Sequence, residues 1–179
     1  MCRGPDQLKK INNHNLKLLD ETKNNLHLIF NRLSIIDLSD KASQPMINER
    51  KKTVIMFNGE IYNHNQLRKE MEDDGISFLT SHSDTEVVLN GLSYYGVGFV
   101  EKLIGQFSIF FLNINNNKAF LIRDRLGQKP LFYKITNSNI VFGTNLKSLL
   151  RSNTGNELDE NSLNEYLSLG VVSSPNTIF

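Results

Sequence analysis

Thr53-Val54-Ile55-Met56-Phe57-Asn58-Gly59-Glu60-Ile61-Tyr62-Asn63 is the stretch whose reading sets the fold. Residues 53–57 (TVIMF) are β-branched or large and apolar, and read as a strand. Asn58-Gly59 is a turn dipeptide, so the strand is expected to end there. Asn63 then precedes a helical stretch with Leu67 and Met71 on one face, and Gly75 lies beyond it as a stop.

Further along, Ser83-Asp84-Thr85-Glu86 has the form of a capping box, in which Ser83 bonds the backbone at Glu86 and Glu86 reaches back. Val88, Leu92 and Tyr95 continue at helical spacing. Residues 107–112 (FSIFFL) and 119–123 (AFLIR) flank Asn115-Asn116-Asn117 and predict a hairpin. Asparagine suits its turn because it tolerates the left-handed region, as in Asn12-Asn13-His14-Asn15. Residues 131–135 and 140–142 flank Asn137-Ser138-Asn139 and predict a second hairpin. Asp159 is a candidate cap for a last helix, with Leu163, Tyr166 and Leu167 facing inward and Gly170 ending it. Upstream, residues 33–36 form another short apolar run. Helices between early strands, followed by hairpins, predict an α+β fold of antiparallel sheets covered by helices.

The 179 residues suffice for one domain with a substantial core. Lys plus Arg is 20 and Asp plus Glu is 19, for a formal charge of +1. That balance predicts neither nucleic acid nor anionic membrane as a partner. No apolar run approaches the roughly 20 residues of a membrane helix, and residues 1–10 are too polar for a secretory signal. A single cysteine, Cys2, excludes an internal disulfide framework and a cysteine-based zinc cluster. The four histidines lack metal-ligand spacing, so no metal site is expected. The setting expected is cytoplasmic.

Six blocks occur in order: Arg3-Gly4-Pro5-Asp6, Arg32-Leu33-Ser34-Ile35-Ile36-Asp37-Leu38, Gln44-Pro45-Met46, Phe57-Asn58-Gly59-Glu60-Ile61-Tyr62-Asn63, Ser83-Asp84-Thr85-Glu86-Val87 and Arg123-Asp124-Arg125-Leu126-Gly127-Gln128-Lys129-Pro130-Leu131. Each alone is weak. Together they resemble the glutaminase domain of asparagine synthetase, a class II glutamine amidotransferase, over nearly the whole chain. The tail, residues 163–179, resembles the stretch leading into that family's synthetase domain. The resemblance implies an N-terminal nucleophile hydrolase-like αββα sandwich of two antiparallel sheets. It divides the chain into an amidotransferase domain over residues 1–150 and, over 151–179, the start of a connection to a synthetase domain.

The resemblance also implies a chemistry. A cysteine exposed by Met removal attacks the glutamine side-chain amide, with its own α-amine as base. Ammonia leaves, and the γ-glutamyl thioester is hydrolysed to glutamate. Cys2 would be that nucleophile. The oxyanion donors would be the Asn58 side-chain amide and the Gly59 N–H. Arg32 would pair with the substrate α-carboxylate, where a planar fork fits well. The backbones of Leu33 and Ile35 would complete the wall, and Glu60 and Asp84 would receive the α-ammonium. The chain itself would need no cofactor; ATP and Mg²⁺ would serve only a synthetase domain or subunit. Oligomeric state stays open, a homodimer among the options.

Simpler readings stand beside these. Asn58-Gly59 alone is usually a hairpin turn, Asp84 can be only an acid in a helix's first turn, and Arg32 can be a surface charge. Residues 123–130 read as a structural turn, and Pro5-Asp6 as a fixed turn. The sequence also departs from the family. Strands and a helix separate the family's initial Met-Cys-Gly-Ile from Arg-Gly-Pro-Asp, whereas here Cys2 abuts Arg3. Either a deletion joined a true nucleophile to the later motif, or the chain starts late and Cys2 stands where the family often has His. The second is the favoured reading, with the first strands then missing. Phe30 stands where the family often has His, and Gly143-Thr144-Asn145 replaces Ala-Ser-Glu. Three functions are therefore expected as alternatives: a glutaminase, a glutamine-binding or interaction module without catalysis, and a gene fragment.

Overall fold

In a computed structural model, the structure describes residues 7–12, 26–32, 42–136, 139–151 and 157–179. The expected apolar run at 33–36 and the Pro5-Asp6 turn lie outside them. Two compact units form, Met1–Pro130 and Leu131–Phe179.

The first unit carries β1 (Gln7–Asn12), β2 (His27–Arg32), β3 (Met46–Asn48), β4 (Thr53–Ile61), α1 (His64–Asp73), α2 (Asp84–Tyr95), a short 3-10 helix (Val97–Lys102), β5 (Gly105–Asn113) and β6 (Lys118–Arg123). β1 and β2 pair with each other, and the second sheet runs β3-β4-β5-β6; every pairing is antiparallel. On one face of that sheet, Ile55, Phe57 and Ile61 of β4 and Phe107, Ile109 and Phe111 of β5 pack with Leu67 and Met71 of α1 and Val87, Val88, Leu89 and Leu92 of α2. Each such side chain contributes about 1.5–3 kcal/mol by leaving water. Val54, Phe110 and Leu112 alternate with them, face the other way, and are buried too. The centre of the sheet is thus covered on both faces, which explains the nearly unbroken apolar runs of β4 and β5.

β4 does not end at Asn58-Gly59, as the turn reading expects. It continues to Ile61, pairing Asn58 with Ser108, Gly59 with Phe107 and Ile61 with Gly105. The physical reason is close approach. A Cβ on Gly59 would lie 2.0 Å from the Gln106 carbonyl oxygen, and one on Gly105 would lie 2.1 Å from that of Glu60. Glycine at both positions draws the two strands together, where the same dipeptide elsewhere would reverse the chain.

The helix caps follow their sequence signals in part. α1 ends in a Schellman motif: the Ile76 N–H donates to the Met71 carbonyl, the Gly75 N–H donates to that of Glu72, and Gly75 has φ 81°. Buried Ile76 and Met71 supply the accompanying apolar contact. Asn63, however, makes no side-chain cap. Its amide instead donates to the Lys102 carbonyl and accepts from the Ile104 N–H. Ser83 caps α2 by accepting from the Glu86 N–H. Glu86 does not reach back to Ser83, so only half of the capping box forms; its carboxylate is committed to residues 79 and 80.

α2 also holds Gly91, where an added Cβ would stand 2.0 Å from the Phe99 ring. Phe99 is buried and stacks on Tyr95. Gly91→Ala is therefore expected to destabilise the protein by about 1–3 kcal/mol, despite alanine's better helix propensity. Thermal unfolding checks this, and a raised melting temperature would show that the ring has room to move.

The hairpin of β5 and β6 forms as expected, with Asn117 at φ 53° in its turn. Residues 123–130 are a self-bonded turn. Arg123 donates to the carbonyls of Gly127 and Lys129, and Arg125 to those of Leu103 and Glu101.

In the second unit, β7 (Phe132–Ile135) and β8 (Ile140–Gly143) form the other expected hairpin. α3 (Leu146–Leu150) is capped by Asn145, and α4 (Glu160–Leu169) by Asp159, with Gly170 left-handed at its end. Tyr166 and Leu167 do not face inward: they are 49% and 72% exposed. Burial fades after Ser162 and Leu163, so the apolar spacing of α4 outlasts its cover within this unit.

Candidate functional site

The C-terminal end of β4 and the first turn of α2 come together. Asn58 and Gly59 are half-buried, and Glu60 is exposed. Asn58 and Ser108 lie directly opposite each other, so their side chains share a sheet face. Asp84, the first residue of α2, is buried, and its Oδ2 accepts the Ile61 N–H at 3.3 Å. Burial pushes the Asp84 carboxyl above the ordinary carboxylate range, and the charge of Glu60 adds to this; the N–H groups of Ile61 and Thr85 and the charge of His64 act the other way. Of the expected site residues, the structure therefore brings Asn58, Gly59, Glu60 and Asp84 to one corner. Arg32 closes β2, but its side chain, like Cys2, Leu33 and Ile35, lies outside the described residues.

Two further residues at this corner were given no site role by the sequence reading, although Gln44 lies in one of the six blocks. His64 opens α1, and its Nδ1 is 2.7 Å from the Ile61 carbonyl. A carbonyl only accepts, so Nδ1 carries the proton. Ile61 thus joins both groups through one residue, its N–H to Asp84 and its carbonyl to His64. Buried Gln44 is the second. Its Oε1 accepts the Phe57 N–H at 2.6 Å, while its Nε2 donates to the Phe57 carbonyl at 2.9 Å and to Thr85 Oγ1 at 3.4 Å. Backbone pairing of β3 stops at Met46, opposite Ile55. The Gln44 amide continues it along β4, just before Asn58, and ties that strand to the first turn of α2.

The Asp84 carboxyl is exposed to an opposition between folding and charge. Its raised folded pKa means that ionisation costs stability. That cost is absent below the unfolded value of about 3.9 and grows as pH rises through the folded value. Asp84→Asn is thus expected to raise the melting temperature at pH 7 and to change it little near pH 3, while weakening any ligand cation bound there. A fall in melting temperature at pH 7 would mean that the charge is held more favourably than its burial implies.

The comparisons with known proteins decide the family: the model of a glutamine amidotransferase domain matches residues 3–179. The chain belongs to this family. Asparagine synthetase [glutamine-hydrolyzing] 1 of Bacillus subtilis (strain 168) is 39% identical to this amidotransferase domain over 149 residues, 83% of the chain and 23% of the relative. Asparagine synthetase [glutamine-hydrolyzing] 3 of the same organism is 33% identical over 180 residues, 98% of the chain and 27% of the relative. The chain thus spans about a quarter of the length of these curated relatives, and it matches their glutaminase part. Among solved structures, glutamine phosphoribosylpyrophosphate amidotransferase from B. subtilis superimposes with a TM-score of 0.54 at 20% identity, over 65% of this chain and 27% of that one. That likeness shows the fold: α+β, with antiparallel sheets and helices in the N-terminal nucleophile hydrolase manner. Among the described residues, no helix is long and apolar enough to cross a membrane.

Proposed function

We propose that this chain is the glutaminase part of an asparagine synthetase-like enzyme, releasing ammonia from glutamine. The reading is carried by the tie between Asp84 and β4, two residues past Gly59. Oxyanion donors and ammonium acceptors then come from one strand end and the helix tip bonded to it. A glutamine lying along that end would set its side-chain amide at Asn58 and Gly59, and its α-ammonium at Asp84 and Glu60. Arg32 would hold the α-carboxylate, with the backbones of Leu33 and Ile35 beside it.

The chemistry calls for a cysteine nucleophile, and Cys2, the chain's one cysteine, fills that role only under the deletion reading of its start. The cysteine thiolate would attack the amide carbon, and the Asn58 amide and Gly59 N–H would stabilise the resulting oxyanion. Losing one such donor typically costs about 3 kcal/mol of transition-state stabilisation. Proton transfer to the amide nitrogen would release ammonia and leave a γ-glutamyl thioester, which water cleaves to glutamate. A synthetase domain or subunit, using ATP and Mg²⁺, would consume the ammonia to amidate aspartate. The setting is cytoplasmic, with neither nucleic acid nor membrane as a partner.

Glutamate release from glutamine tests this, measured beside Cys2→Ala on protein shown to be folded by circular dichroism. Turnover that disappears in the variant would assign Cys2 as the nucleophile and favour the deletion reading. Turnover that survives would remove Cys2 from the mechanism. Glutamine binding without any turnover would favour the non-catalytic binding module, and absence of binding would defeat the proposal.

A further inference from the structure

α1 carries a buried arginine whose hydrogen bonds all go to the loop ahead of α2. Arg68 Nη1 donates to the Thr80 carbonyl at 2.8 Å, and Nη2 to Thr80 Oγ1 at 3.4 Å and to the Ser83 carbonyl at 3.3 Å. The last acceptor belongs to the peptide that joins Ser83 to Asp84. The guanidinium also lies over the Phe78 ring, 4.1 Å from its centroid, and 3.9 Å from partly exposed Glu72. From the other side, buried Glu86 accepts the N–H groups of Leu79 and Thr80 at 2.7 and 2.8 Å, and the Thr80 hydroxyl at 2.5 Å. One cation and one anion therefore grip the same loop and meet at Thr80: Arg68 holds Thr80 and Ser83, and Glu86 holds Leu79 and Thr80.

A buried guanidinium is costly to desolvate, and is retained where its planar fork fixes several acceptors at once. Here the fork reaches three oxygens along four residues of a segment without regular structure. Asp84 is the next residue, and its carboxylate accepts the Ile61 N–H of β4 at 3.3 Å. That bond is at the long end of the hydrogen-bond range, so the anchors of the loop that leads into Asp84 also bear on where its carboxylate sits. We infer that Arg68 is a positioning residue for substrate recognition: by clamping residues 80–83 against Glu86, it fixes where Asp84 meets the α-ammonium group of glutamine. The inference rests on the proposed glutamine site.

The test compares wild type, Arg68→Met and Thr80→Val, each checked for folding. Thr80→Val removes only the hydroxyl links and serves where Arg68→Met does not fold. Two readouts are taken. Calorimetric binding of glutamine is compared with that of glutaric acid monoamide, which is glutamine without its α-amine. The Asp84 side-chain carboxyl carbon is also titrated by NMR. In the variants, glutamine affinity is expected to fall about tenfold or more, while the monoamide changes less than twofold. The Asp84 titration is expected to move down toward ordinary carboxylates as water reaches the loosened turn. Equal weakening of both ligands, or an unmoved Asp84 titration, would overturn the inference. Wild type that binds neither ligand would defeat the glutaminase reading, and the Asp84 titration would still decide whether Arg68 holds that carboxylate.

Discussion

Gly59→Ala is expected to lower the melting temperature by roughly 10 °C, the shift that corresponds to a loss of about 3 kcal/mol in a chain of this size. The added methyl would sit 2.0 Å from the Gln106 carbonyl oxygen and 2.7 Å from the Phe107 Cα. Both are backbone atoms of the neighbouring strand, so no rotamer change relieves the clash. β4 and β5 must separate, and they hold the centre of the core. A comparison isolates the cause. Gly75 has φ 81°, but an added Cβ there would meet nothing within 4 Å. Gly75→Ala should therefore cost only the left-handed penalty, about 1–2 kcal/mol. Thermal melts of both variants decide it: equal effects would mean that backbone conformation, not the approach of the strands, requires glycine at position 59.

The second large effect belongs to Asp124. Its carboxylate is buried and accepts four backbone N–H groups, with Phe107 and Lys129 on Oδ2 and Leu126 and Gln128 on Oδ1. Burial alone would raise its pKa; the four N–H donors overcome that and hold it below the ordinary value. Asp124→Ala leaves those donors without partners, and a loss of roughly 3 kcal/mol is expected. Asp124→Asn keeps the shape but turns one acceptor into a donor, and should lose about half as much. The sign of the pH dependence follows from linkage. A carboxyl depressed on folding stabilises fully above the unfolded value near 3.9, and this is lost as pH falls through the lower folded value. Urea unfolding of wild type and Asp124→Ala should thus differ most above about pH 4, and converge in strong acid. A difference that grows on acidification would rule out the carboxylate as the anchor.

Asp124 also illustrates what was legible beforehand. Residues 123–130 read as a structural turn, and they are one. The hairpins, and the ends of α1 and α4, were readable because they depend on neighbours: asparagine in turns, acids at helix starts, glycine at helix ends. Where the outcome depends on distant partners, the reading failed. Asn58-Gly59 has a local preference for reversal, yet the approach of β5 keeps it extended. Glu86 has the spacing to close a capping box, yet the N–H groups of Leu79 and Thr80 claim its carboxylate. Tyr166 and Leu167 have inward spacing, yet little covers them. The bonds of Gln44 to Phe57, 13 residues away, leave no periodic signature at all. The candidate site was legible through motif resemblance, and its roles remain proposals for Cys2, Arg32, Leu33, Ile35, Asn58, Gly59, Glu60 and Asp84 alike.

Helix α2 is buried along its first nine residues, Asp84 to Leu92. This bears on how the pocket can change. An acid on a surface loop drifts under mutation at little cost, but Asp84 sits at the tip of a helix locked into the core. Moving it by one residue would rotate Val87, Val88 and Leu89 out of their packing. Selection for a different amide substrate, in nature or in a library, should therefore collect its changes at exposed Glu60 and leave residues 84–92 nearly untouched.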